Sequence, residues 1–224
     1  MVMKVIGFDL DGSLIDIEDE KSRLFGMILS QFWGVNAKEA ANCWIDMRGK
    51  SRRSKFDCFF NKQYGKVLTD EEYEKIEKVF SGKLKNEFYP KIKFLRGALD
   101  LLEFSRKNFD IIFISSGVPD EEVKYLVELK AFGHYFDKIY GTGDKFKSKE
   151  DHFKQVISEF NPELIVFIGD GLEDMRVGKK FNAVTIGIPS HQTKKKLIEA
   201  GAKYVLQTSE IVDLLKIILV GTVK

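Results

Sequence analysis

The chain has 224 residues, 44% apolar and 31% charged, and its 36 basic and 34 acidic residues leave a formal charge of +2. That length suits one large domain or two modest ones, with roughly 70% of the unfolded chain's surface buried on folding. The near balance of charge gives no basis for a nucleic acid or membrane-surface partner, and Cys43 and Cys58, outside any CxxC pair, argue against zinc and give no support for a disulfide.

The N-terminal stretch MVMKVIGFDL is too short, and too acidic at its end, for a signal peptide. Its apolar run at 5–10 reads as a buried strand that stops at Asp9 and Asp11, one residue apart, before Gly12. Residues of about 16 to 90 then lack β-branched runs and carry helical patterns over 18–33, 37–47, 54–64 and 70–88, with Phe32, Trp33, Trp44, Phe56, Phe59 and Phe60 as their predicted core. Pro90 and Gly97 mark the return to a different rhythm. A helical pattern at 97–109 leads into the apolar run IIFISS (111–116), which ends in Ser115 and Ser116 before Gly117. A helix over 120–129 follows, then a strand at 136–142 and Lys147 and Lys149 just ahead of a helix at 149–160. The run LIVFIGD (164–170) ends in Asp170, with Asp174 four residues on, and shorter apolar runs follow at 183–188 and 203–206. The apolar tail 211–220 is interrupted by Asp213 and Lys216 and is too short to span a bilayer. Together these features predict a reducing, cytoplasmic setting.

Apolar strands alternating with helices indicate an α/β fold with a parallel sheet covered on both faces, where ligands bind beyond the carboxyl ends of the strands. Two carboxylates at the end of a buried strand are costly, because each disfavours the other's ionised form. A turn could use Asp and Gly in that order. A nucleophile beside a proton donor, with a divalent cation to offset the charge, accounts better for Asp9 and Asp11, and oxygen ligands suit Mg²⁺. Asp170 and Asp174 could simply cap a helix, but three strand-end carboxylates at one edge call for a cation. Ser115 and Ser116 could be turn residues, or a hydroxyl and backbone N–H pair for a phosphate oxygen. A lysine is most often solvated, yet a site with several carboxylates and an incoming dianion needs a fixed cation.

These residues carry a resemblance. FDLDGSL resembles the DxDG nucleophile motif of the haloacid dehalogenase-like phosphatase superfamily, FISSG its second motif, the Lys147/Lys149 region its third, and GDGLEDM its fourth. FLRGALDLLEFSRKN is similar to the segment that precedes the second motif in members with a helical cap. The resemblance implies a Rossmann-like α/β core domain at 1–15 and 91–224 and a second, smaller α-helical cap domain at 16–90.

It also implies roles. Asp9 would attack a phosphoryl group and Asp11 would act as general acid and base. Ser115, with Ser116 and Gly117, would hold phosphoryl oxygens. Mg²⁺ would be held by Asp9, the Asp11 backbone carbonyl and Asp170, while Asp174 would ligate through water or orient the lysine. Either Lys149, favoured by its helix face, or Lys147, with Asp151 four residues on, would be the active-site cation. The second aspartate argues against dehalogenation, which protonates no leaving alkoxide. MRGKSRRSKF is similar to the specificity loop of capped members, so Arg48, Lys50, Arg52 and Arg53 are either substrate contacts or a solvated basic helix end. The expected activity is a Mg²⁺-dependent phosphatase of small phosphorylated metabolites. The alternatives are a phosphomutase sharing the aspartyl phosphate and a non-catalytic phospho-ligand module. The expected partner is the small-molecule substrate, without nucleic acid or membrane, in a monomer or homodimer. His134, His152 and His191 read as structural or surface residues.

Overall fold

A computed structural model describes residues 2–47 and 50–221. In chain order, strand β1 (Lys4–Phe8) is followed by the two-residue β2 (Ile15–Asp16) and by helices α1 (Glu18–Trp33), α2 (Ala37–Asp46), α3 (Arg52–Tyr64) and α4 (Asp70–Lys83). A short β3 (Lys93–Phe94) leads to α5 (Ala98–Asn108), β4 (Ile111–Pro119), α6 (Asp120–Leu129), β5 (Lys138–Thr142) and α7 (Lys149–Phe160). Then come β6 (Leu164–Gly169), α8 (Leu172–Lys180), β7 (Val184–Gly187), α9 (Lys194–Ala200), β8 (Tyr204–Val205) and α10 (Ile211–Gly221).

The six apolar runs of the sequence are the six strands of one parallel sheet, ordered β5-β4-β1-β6-β7-β8. The chain starts in the middle at β1, winds outward to β4 and β5, then returns to β6 on the other side of β1. That reversal is the switch point of a Rossmann-like sheet, where the loops on either side diverge and leave a crevice beyond the strand ends. The apolar character of the strands follows from helices on both faces: every residue of β6 is buried. On one face Val5, Phe113 and Phe167 pack with Phe153 and Val156 of α7. On the other, Ile6, Phe8, Ile114 and Ile168 belong to a core that runs unbroken into the helices between β2 and β3.

In that helical insertion Phe25 packs 5.0 Å from Trp44 and 4.9 Å from Phe56, ring to ring. Trp44, Phe56, Phe59 and Phe60 are buried as expected, and Trp33 packs on Phe60, but Phe32 in the last turn of α1 is 41% exposed. The helical pattern at 70–88 is not one α-helix. It is α4 to Lys83, then a wider π turn over Leu84–Phe88 and a tight 3₁₀ turn at Tyr89–Lys91, because Pro90 has no N–H to continue the ladder. The chain leaves and re-enters the sheet region through β2 and β3, which pair antiparallel at Ile15–Phe94 and Asp16–Lys93. Among the described residues no helix is long and apolar enough to cross a membrane.

Candidate active site

Four carboxylates meet where β1 and β6 end. Asp9, Asp11, Asp170 and Asp174 are all buried. One oxygen from each of Asp9, Asp170 and Asp174 lies within 4.8 Å of the others. The Asp9 backbone N–H donates to the Ile168 carbonyl at 2.8 Å, which stitches the end of β1 to β6. Gly12 makes the approach of Asp170 feasible: its φ is +74°, and a Cβ there would lie 2.4 Å from Asp170 Oδ2. Ser190 donates to that same oxygen at 2.8 Å.

The charge is balanced by Lys149. Its Nζ donates to Asp9 Oδ1 at 2.7 Å and to Asp174 Oδ1 at 2.5 Å. The lysine is the first residue of α7, whose start is fixed by Asp151, a carboxylate that accepts from the Lys147 and Ser148 backbone N–H groups and from the Ser148 hydroxyl. Asp174 is fixed in turn, accepting the Gly171 N–H through Oδ2 at 2.9 Å, so it both caps α8 and orients the lysine. Burial pushes the Asp9 carboxyl up to about 6, with Lys149 opposing the shift and Asp174 adding to it. Burial alone would lower the Lys149 ammonium, but Asp174 and Asp9 outweigh it and raise the pKa. Lys147, the other candidate, points away: its side chain is 74% exposed, beside Asp144. The choice between them comes down to helix geometry, because only the residue inside the first turn of α7 is directed at the strand ends.

Asp11 has a partner that its motif does not announce. Its Oδ2 accepts from Lys21 of α1, a fully buried lysine, while Oδ1 has no partner among the described residues. Burial raises the Asp11 pKa and Lys21 opposes it. In the sequence Lys21 is one of several charged residues within EDEKSR, at the start of the first helical pattern. Only the placement of α1 over the sheet edge turns it inward.

The end of β4 differs from the sequence expectation in which serine faces the site. Ser115 is fully buried, with its hydroxyl 2.9 Å from His152 Nδ1, and His152 Nε2 lies 3.0 Å from the Gly141 carbonyl. A carbonyl only accepts, so Nε2 carries the proton and Nδ1 accepts a hydrogen bond from the Ser115 hydroxyl. Burial holds His152 neutral, with its pKa down to about 4. Side chains alternate along a strand, and it is Ser116, with Gly117, that lines the cavity beside Asp9 and Asp11. The Ser116 hydroxyl accepts the Val118 N–H at 3.1 Å. A Cβ on Gly117 would lie 2.4 Å from the Lys50 carbonyl, so the insertion's backbone rests directly on this loop.

The basic stretch of the insertion divides. Arg48 lies outside the described residues. Arg52, expected to grip a substrate anion, borders the cavity but is already engaged: Nη1 donates to Glu77 at 2.9 Å, to Ser81 at 2.7 Å and to Glu122 at 2.7 Å, and Nη2 also reaches Glu122. Burial would raise Glu122, yet Arg52 holds it down to about 2. The Tyr89 hydroxyl donates to Glu122 as well. This buried network ties α3 and α4 to α6. Arg53 is spent on Asp57, Asp70 and the Leu68 carbonyl. Lys55, Trp44 and Glu18 complete the cavity wall, and none of them was singled out for the site from the sequence.

The cavity has a volume of about 20 Å³, room for roughly one water molecule. With the insertion where it lies, that space is smaller than a phosphate group. The donor set of Asp9, Asp170 and Asp174 consists of carboxylate oxygens alone, the preference of a hard divalent cation such as Mg²⁺. Asp11 Oδ1, buried without a hydrogen-bond partner among the described residues, leaves an open acceptor in the same acidic group. The residues present therefore fit such an ion.

Comparison with known proteins agrees with this geometry. A family model described as haloacid dehalogenase-like hydrolase matches residues 3–182. A phosphoglycolate phosphatase of Haemophilus influenzae is 23% identical over 197 residues, 83% of this chain and 85% of that protein. Among solved structures, a haloacid dehalogenase-like family hydrolase from Streptococcus pneumoniae superposes with a TM-score of 0.74 at 19% identity, covering 95% of this chain and 98% of the other. A candidate beta-phosphoglucomutase from Thermotoga maritima superposes with a TM-score of 0.67 at 21% identity, covering 96% and 99%. With motif-bearing strand ends, sheet order and family model in agreement over most of its length, the chain belongs to the haloacid dehalogenase-like hydrolases.

Proposed function

We propose that the protein is a Mg²⁺-dependent phosphatase of small phosphorylated metabolites that works through an aspartyl phosphate on Asp9. The observation that carries this reading is the buried Asp9–Lys149–Asp174 chain at the end of β1, with Asp11 beside it. In the first half-reaction Asp9 Oδ attacks phosphorus, the ester P–O bond breaks, and Asp11 gives its proton to the departing oxygen. In the second, Asp11 takes a proton from the water that attacks the acyl phosphate, which releases phosphate and restores Asp9. Lys149 neutralises Asp9 so that an anionic ester is not repelled, and Ser116 and the Gly117 loop meet the phosphoryl oxygens. Lys21 fixes the Asp11 carboxylate and favours the ionised form needed in the second half. A Mg²⁺ ion held by Asp9, Asp170 and the Asp11 backbone carbonyl would neutralise charge developing on the phosphoryl oxygens. The helical insertion serves as a cap that excludes water during the first half and opens to exchange ligands.

A phosphomutase would use the same intermediate but must hold a second phosphoryl group in its substrate. Arg52, the residue in the specificity-loop position for that task, is occupied by Glu122 and Glu77, which favours the hydrolase. The test is phosphate release from a panel that includes 2-phosphoglycolate, hexose phosphates and an aryl phosphate, with Mg²⁺ or EDTA, on wild type and Asp9→Asn. Release that needs both Mg²⁺ and Asp9 is expected. Isomerised sugar phosphate without net phosphate release would replace this reading with the mutase.

A further inference from the structure

One fully buried titratable side chain bonds to none of the site's carboxylates: His152 of α7. Both of its ring nitrogens are taken. Nδ1 accepts from the Ser115 hydroxyl at 2.9 Å, and Nε2 donates to the Gly141 carbonyl at 3.0 Å. Ser115 belongs to β4 and Gly141 to β5, so a single ring joins helix α7 to two adjacent strands. Tyr140 stacks on that ring at 5.4 Å, and Phe146 meets it edge-on at 5.1 Å. A serine hydroxyl bonded to a histidine could serve as a nucleophile and its base. Here both side chains are sealed from solvent and neither lines the cavity, and the group behind the histidine is a carbonyl rather than an acid.

What the ring holds is the first turn of α7. Lys149 and His152 are three residues apart, on one face of that helix. Lys149 must set its Nζ between Asp9 and Asp174, at 2.7 and 2.5 Å. Beyond His152 the buried face of α7 is apolar: Phe153 packs on Phe113 and Phe167, and Val156 lies in the same cluster. Apolar contacts are non-directional and leave a helix some freedom to turn or slide, whereas hydrogen bonds fix distance and angle. A phenylalanine would fill the place of the imidazole without burying ring nitrogens, so packing alone does not call for a histidine. Resting on the phosphatase reading, we propose that His152 is a positioning residue that aims Lys149: by tying α7 to β4 and β5, it sets the ammonium against Asp9 and Asp174. Burial keeps the ring neutral down to about pH 4, so Nδ1 stays an acceptor for Ser115 and no second positive charge stands one turn from Lys149.

The experiment is a double-mutant cycle on phosphate release in Mg²⁺, with His152→Phe and Lys149→Met alone and combined, each checked for folding by circular dichroism. On its own His152→Phe should lower kcat about 10- to 100-fold, the cost of a misplacement of about 1 Å, and change KM less than about threefold. On top of Lys149→Met it should change kcat less than about twofold, because the group it acts through is gone. His152→Gln, whose amide can accept from Ser115 and donate to Gly141, should recover most of the loss. Equal losses with and without Lys149, or no loss in either case, overturn the assignment. If His152→Phe does not fold, His152→Asn, too short to keep both bonds, takes its place in the cycle. A second readout needs no turnover: the NMR resonance of the Lys149 ammonium in lysine-labelled protein, identified by its absence in Lys149→Met. It should shift and lose protection from water exchange in His152→Phe and hold its position in His152→Gln. An ammonium resonance unmoved by His152→Phe also overturns the assignment. If no ester is hydrolysed but the resonance moves as expected, the phosphatase reading fails and the aiming role stands. If esters are hydrolysed while kcat and the resonance both ignore His152, the aiming role fails and the phosphatase reading stands.

Discussion

The sheet edge and the helical insertion handle buried charge in opposite ways. At the sheet edge the charges are acidic, they come from the ends of strands, and the lysine that balances them arrives on a different element, 140 residues along the chain from Asp9. In the insertion the buried charges stand on helices and, Glu18 apart, are basic. There, two residues of α3 with the same nominal sign meet different fates: Arg52 is saturated by Glu122 and Glu77, and Lys55 has only a ring face. The lesson is that a buried charge reports function by whether the protein itself completes its bonding. Arg52 holds the insertion to the sheet domain through Glu122, while Asp11 Oδ1 and the Lys55 ammonium, both at one cavity, have no hydrogen-bond partner among the described residues.

The largest test of that contrast is on the acidic side. Lys149→Met should lower phosphate release by about 10³-fold or more, since it removes a charge that acts with the nucleophile, whereas Lys147→Met should change it less than about twofold. A fold check by circular dichroism accompanies both. Comparable losses would mean that the two lysines share the role. On the basic side, Glu122→Ala should cost about 3–5 kcal/mol in urea unfolding, because Arg52 would keep its burial and lose its bidentate partner. A cost under about 1 kcal/mol would show that Glu77 and Ser81 suffice.

A third test uses pH. His152 has an ordinary pKa of 6.5 and is held down to about 4 in the folded protein, so the unfolded chain binds the extra proton first. Its contribution is full above about pH 6.5 and is lost as the pH falls towards 4, a change of up to about 3 kcal/mol. Glu122, depressed to about 2, adds a loss that begins only below its ordinary 4.5. Asp9 works in the opposite sense over the same range, because its carboxyl is raised from 3.8 to about 6 and adds stability as the pH falls through 6. The His152 contribution is therefore read as a difference: between pH 7 and 5 the urea midpoint of His152→Gln should rise relative to that of wild type. An equal slope in both proteins would show that His152 is not the group responsible. The smallest effect sharpens the Arg52–Lys55 comparison. Lys55→Met removes an ammonium without a bonded partner, and should leave unfolding free energy unchanged or raise it by about 1 kcal/mol. A loss as large as that of Glu122→Ala would make Lys55 a structural residue like Arg52.

The six sheet strands were legible because doubly covered parallel strands must be apolar along their whole length, and a carboxylate that closes such a run stands out. Asp9, Asp11, Asp170 and Asp174 were found on that ground, as were the helices at Glu18–Trp33, Asp120–Leu129 and Lys149–Phe160. The pair β2 and β3 escaped notice, since two residues carry no periodicity. So did the break after Lys83, where the helical pattern continues although the hydrogen bonding does not. At FISSG the motif suggested the first serine, but the pleat of β4 sends Ser115 to His152 and leaves Ser116 at the cavity.

The sequence by itself determined the sheet, the position of the helical insertion and the acids of the site, because these rest on local pattern and on the cost of like charges at a buried strand end. Tertiary structure decided which cations answer them, Lys149 being the one that its helix face already favoured. A lysine or arginine looks the same in sequence whether it is solvated, latched or waiting for a ligand. Lys21, Arg52, Lys55 and Lys149 acquire separate roles only when the packing of α1, α3 and α7 around the strand ends fixes what each ammonium or guanidinium can reach.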